Sequence, residues 1–137
     1  MNFNNFTIKS QEAVQKAQQI AQGFGHQQIE NAHILKGIFE VDENVTPFIL
    51  NKLGVNIDIF KQTLENIIQS FPKVEGGELM LSKTANKMLI DASNIAKKMK
   101  DEYVSLEHLI ISILNSKGAT SQLLKDNGIN EKDLNNA

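Results

Sequence analysis

The 137-residue chain is 41% hydrophobic, sets 14 cationic against 16 acidic residues and carries a formal net charge of −2. Every cation is a lysine and cysteine is absent, which excludes arginine forks on guanine or phosphate, disulfide staples and thiolate chemistry. No basic run invites nucleic acid, no 18 apolar residues run together, and Met1 to Asn5 lacks the basic-then-apolar pattern of a secretion signal; a soluble cytoplasmic domain with one core is expected.

In chain order, Thr7 is a good N-cap, its hydroxyl able to accept from an unpaired first-turn amide, and Ala13, Ala17, Ile20, Ala21 and Phe24 follow at helical spacing. That helix should end at Gly23 to Gly25. A short helix from about Asn31 to Glu40 and another from about Val45 to Leu53, stopped by Gly54, come next. Asn56 can cap a fourth helix, whose apolar face carries Ile57, Phe60, Leu64, Ile67 and Ile68. Composition typical of a connection appears only around Phe71 to Leu81, where Pro72 and Gly76-Gly77 break the chain. Ser82 then caps a fifth helix to about Lys100, Ser105 a sixth to about Asn115, a seventh runs to Asn127, and Asn130 starts an eighth. No strand is expected anywhere.

The second half repeats the first. Laying residues 12–40 on 87–115 without a gap matches Ala17 with Ala92, Ile20 with Ile95, Ala21 with Ala96 and His33 with His108. The apolar pattern matches too, pairing Val14 with Leu89, Phe24 with Met99, Ile29 with Val104, Ile34 with Leu109, Ile38 with Ile113 and Phe39 with Leu114. Upstream, Phe6-Thr7 falls on Leu81-Ser82; after a one-residue slip, Leu50, Gly54, Val55 and Asn56 fall on Leu124, Gly128, Ile129 and Asn130. Two copies are too few for an open solenoid, which normally needs about three. The pattern predicts one all-α, pseudo-twofold domain over 1–137: two four-helix units at 7–70 and 82–137, with Ile20, Ile38, Ile95 and Ile113 buried.

Catalytic motifs are wanting. No GxxxxGK[ST] string offers a phosphate loop, and HExxH is absent although His26 and His33 could share a helix face. Glu107 and His108 are adjacent, which on a helix points them about 100° apart. A catalytic residue needs no copy, so the repetition of His33 at His108 favours hydrogen-bonded residues of the repeat interface over metal ligands. Thr7 and Ser82 read as caps, Asp101-Glu102 as a solvated turn, and Glu107 as a first-turn acid matched to the helix dipole.

Taken together, Phe6-Thr7, Ala17 and Ala21, Gly25-His26, Ile29-Glu30 and His33-Ile34-Leu35 resemble the N-terminal domain of the Clp AAA+ ATPases, a double-repeat helical domain. The stretch Phe71-Pro72-Lys73-Val74-Glu75-Gly76-Gly77, with Leu81-Ser82 and Asp101 to Leu109 beyond it, resembles the ClpB disaggregase branch of that family. The protease-linked branch usually carries a GTEHILLG-like string in both copies, and Glu30 to Gly37 departs from it. The resemblance covers essentially the whole chain. It implies a fragment of a larger chaperone, lacking both nucleotide-binding modules and the coiled-coil middle domain, that engages unfolded or aggregated polypeptide before a hexamer threads it.

By the same resemblance, the domain is non-catalytic and monomeric in isolation. ATP and magnesium belong to the missing AAA+ modules, and the DnaK chaperone system is the partner of the whole machine. Thr7, Asp101 and Glu107 match family positions implicated in activity on aggregates, and Leu89, Tyr103 and Leu109 are the candidates for an apolar substrate groove near the second copy. Two other functions are weighed against this one: an adaptor-docking domain of a Clp protease, expecting tight binding to one folded adaptor, and a free-standing hydrolase using His26, His33 or His108, expecting metal dependence or a pH-dependent rate.

Overall fold

The computed structural model describes residues 2–74 and 76–136; Met1, Ala137 and Glu75, which falls within the expected connection, lie outside the described residues. The first copy contains α1 (Ile8–Gly23), β1 (Gln28–Ile29), α2 (Asn31–Val41), α3 (Val45–Lys52) and α4 (Ile57–Gln69). The second contains β2 (Met80–Leu81), α5 (Lys83–Lys98), α6 (Leu106–Asn115), α7 (Ala119–Asp126) and α8 (Glu131–Asn136).

The same local chemistry builds both copies. Thr7 Oγ1 accepts from Ser10 N at 3.1 Å to start α1, and Ser82 Oγ accepts from Ala85 N at 3.0 Å to start α5. Both helices end in a left-handed residue, Gly25 (φ 75°) and Lys100 (φ 60°). In each case the next amide returns to the helix's last turn: His26 N donates to Ala21 O and Asp101 N to Ala96 O, both at 2.9 Å. Farther on, Gly54 and Gly128, also at positive φ, let Val55 N reach Leu50 O and Ile129 N reach Leu124 O.

α1 packs on α2 and α5 on α6, and one continuous apolar core runs through both pairs. Ile38 and Ile113 are fully buried and Ile20 nearly so. Ile95, expected to be buried, is half-buried, because the inward stripe of α5 runs through Ala85, Met88, Leu89, Ala92 and Ala96 and leaves Ile95 on its shoulder. The crossings differ in closeness. At Gly37 of α2 an added Cβ would lie 2.4 Å from Ala13 O, so that α1 and α2 touch backbone to backbone. The equivalent Ser112 of α6 has a side chain, and its hydroxyl donates to Met88 O at 2.6 Å.

The expectation of no strands is corrected. β1 and β2 pair in parallel, Gln28 with Met80 and Ile29 with Leu81, and an isolated parallel bridge joins Phe6 to Val104. These are equivalent positions. In each case the residues leading into one copy's first helix pair with those leading into the other copy's second helix: Ser82 N donates to Ile29 O at 3.1 Å, and Thr7 N to Val104 O at 3.0 Å. Entry segments buried between two packed helix pairs have backbone groups to satisfy, and crosswise pairing satisfies them.

Candidate functional site: an apolar groove between the two copies

A cleft of about 450 Å³ opens where the two halves meet. It is lined by Val45, Thr46, Ile49 and Leu50 of α3, by Leu106, Glu107 and Ile110 of α6, and by Leu134 of α8, Thr7 and Lys9. Several local bonds hold these walls. Asp42 accepts from Asn44 N, Val45 N, Thr46 N and Thr46 Oγ1 at 2.8–3.1 Å and thereby starts α3. Burial works against the Asp42 charge, but those bonds, led by the Thr46 hydroxyl, outweigh it and hold the carboxyl below the usual carboxylate range. Lys9 Nζ donates to Val41 O at 2.8 Å, tying the start of α1 to the end of α2.

α4 lies across α2 and α7 and buries Phe60, Leu64 and Ile68. In the second copy Leu134 of α8 takes the place of Phe60 by the one-residue slip of the repeat, and it too is buried. Apolar surface continues along α3 from Val45, 60% exposed, beyond the cleft to Phe48, 68% exposed.

Among the expected site residues, the fold brings Thr7 and Glu107 together on this groove. Asp101 is elsewhere and reaches it through one intermediary. Its Oδ2 accepts from His108 Nε2 at 2.8 Å, while His108 Nδ1 accepts from Ser105 N at 2.9 Å, fixing the first turn of α6 that carries Leu106 and Glu107. Tyr103 is half exposed but does not line the cleft. Leu89 and Leu109 are corrected: both are fully buried core residues and offer no surface to a ligand. The α3 wall was missed because the groove is assembled between copies. The available signal was α3 itself, an eight-residue helix with Val45, Phe48, Ile49 and Leu50, more apolar side chains than it buries.

The two repeated histidines have matching roles. Glu30 N donates to His33 Nδ1 at 2.8 Å, as Ser105 N does to His108. At the position where the second copy has Asp101, the first has His26, whose Nδ1 lies 2.9 Å from His33 Nε2. Both histidines are hydrogen-bonded as expected, but each bonds within its own copy rather than across the repeat interface. Among the described residues, no three His, Asp or Glu side chains converge as a metal ion would require, and no helix is long and apolar enough to cross a membrane.

Comparison with known proteins agrees with this architecture. The chain is 52% identical over all of its 137 residues to the chaperone protein ClpB of Bacteroides thetaiotaomicron and 42% identical to that of Porphyromonas gingivalis, spanning 16% of the length of each. The fold is shared with the N-terminal domain of Hsp104 from Candida albicans, at a TM-score of 0.84 and 17% identity over 97% of this chain and 88% of that one. It is shared also with the N-terminal domain of the ClpV1 ATPase from E. coli, at 0.82 and 17% over 98% and 83%. The family model of the Clp repeat (R) N-terminal domain matches residues 5–127, and the chain belongs to that family.

Proposed function

We propose that this chain is the substrate-engaging N-terminal domain of a ClpB-type disaggregase, taking apolar side chains of unfolded or aggregated polypeptide into the groove between α3 and α6. The observation that carries the reading is the cleft itself, lined by Val45, Ile49, Leu50, Leu106 and Ile110. Its walls are aliphatic and its polar rim, Lys9, Asp42 and Glu107, has both signs, which suits many sequences and selects few. Each leucine-sized side chain buried there contributes about 1.5–3 kcal/mol, part of which offsets the ordering of a flexible chain. The affinity should therefore be micromolar or weaker, about −8 kcal/mol at most in magnitude.

In this reading the domain does no chemistry itself. ATP and magnesium are handled by AAA+ modules outside this chain, in a cytoplasmic hexamer working with the DnaK system. The isolated domain is a monomer that binds and releases. The test is a titration of isotopically labelled chain with a reduced and alkylated, permanently unfolded polypeptide. Amide signals of Val45, Ile49, Leu106 and Ile110 should shift, and salt should weaken the effect only modestly. Val45→Asp should weaken binding about tenfold or more at unchanged melting temperature, since Val45 is exposed. Unaltered binding by that variant, or shifts confined to another face, would remove the groove from the proposal; a strong response to one folded adaptor alone would make the domain a protease adaptor dock.

A further inference from the structure

We propose that the His26–His33 pair is an acid-operated latch that fastens the connection between the two copies to the first copy and lets go when a proton is added. The reasoning starts from hydrogen-bond accounting. His33 Nδ1 accepts the amide hydrogen of Glu30, so the His33 ring proton is on Nε2 and points at His26 Nδ1, 2.9 Å away. His26 then carries its own proton on Nε2, which is buried and has no partner among the described residues. Both acceptor nitrogens of the pair are thus already occupied by N–H donors. A further proton on either ring sets N–H against N–H, and one of the two bonds must break.

The connection rests on this pair. The Phe71 ring lies 5.7 Å from the His26 ring and 5.4 Å from the His33 ring, centroid to centroid. Three residues on, Val74 N donates to Gly25 O at 3.0 Å, next to His26 in sequence. Phe24 stacks on His26 at 5.5 Å. Among the described residues, the charged groups around the pair leave the balance against protonation. Lys73 on the connection opposes a positive charge and Glu30 favours one. Lys36 of α2 lies over Phe24 and is paired with Glu65 of α4. Burial first, and Lys73 second, lower the His26 pKa; burial first, and His26 second, lower that of His33 to about 4. A histidine lowered in the folded state stabilises the fold fully above its ordinary value of 6.5, and that contribution is lost as pH falls from 6.5 towards 4.

The second copy supplies the control. Asp101 stands where His26 does, and its carboxylate can hold the same imidazole whether that ring is neutral or charged. Acid should therefore loosen the first copy's corner and leave the second's closed. The experiment is hydrogen exchange on the whole chain at pH 7 and pH 5, corrected for intrinsic rates. Protection of the Val74 amide should fall by about twentyfold, while that of Asp101 N, bonded to Ala96 O, should stay within about threefold. His26→Asp should abolish the fall at Val74 and raise the pH at which His33 titrates in ring-proton spectra. Should that variant fold poorly, the reciprocal Asp101→His at a half-exposed site should transfer the acid response to the second copy, at the Val104 amide bonded to Asn5 O. Equal Val74 protection at both pH values, or an acid response unchanged in His26→Asp or not transferred by Asp101→His, overturns the latch.

Discussion

Single positions where the two copies differ show what each residue contributes. Lys100 sits at φ 60°, where its counterpart Gly25 has φ 75°. A side chain in this left-handed region costs about 1–2 kcal/mol, partly offset because a glycine loses more freedom on folding. Lys100→Gly should therefore stabilise the chain by about 0.5–1 kcal/mol and raise its melting temperature by a few degrees in a calorimetric scan. Gly37 is the opposite case. The Cβ of Gly37→Ala would meet Ala13 O at 2.4 Å, and backbone is what must give way. Overpacking of this kind costs about 1–3 kcal/mol, against a helix-propensity gain of about 1 kcal/mol. The expected outcome is a lower melting temperature, with the shift vanishing if α1 can move away from α2.

Among the elements, α6 joins the histidine chemistry to the groove. Asp101→Ala frees His108 Nε2 and loosens the turn that sets Leu106 and Glu107, although Asp101 itself does not line the cleft. The expected effect is a loss of about 1 kcal/mol in stability and several-fold weaker binding of unfolded polypeptide in the same titration. Asp101→Asn keeps an acceptor for the imidazole and should restore most of both; a direct contact of the carboxylate with ligand would deny that rescue. Helix ends were legible in sequence wherever their chemistry is local: Thr7, Ser82 and Asn56 cap as expected, and Gly54 stops a helix as expected. The end of α5 was less so, because a lysine in the left-handed region gives no turn signal while Gly25 does.

Across the whole molecule, the duplication was legible because it recurs in caps, core positions and the His33–His108 pair, which is redundancy a single sequence can reveal. The crosswise pairing was not, since two-residue strands such as β1 and β2 have no alternation to detect. The burial of Leu89 and Leu109 was missed for a related reason. Apolar residues on a helix declare a face, and whether that face meets core or solvent depends on elements far away in sequence. The α3–α6 groove depends on the same kind of distant packing, between a helix of one copy and a helix of the other.

The bridge from Phe6 to Val104 orders events during synthesis. A ribosome delivers residues from the N-terminus onward, and the hydrogen-bonding partners of Asn5 and Thr7 belong to a segment made after α5. Until Val104 emerges, the strap ahead of α1 has nowhere to dock, and closing so long a loop gains its contacts only at the end. The Asn5–Thr7 strap can therefore dock only after α1 to α5 have been made.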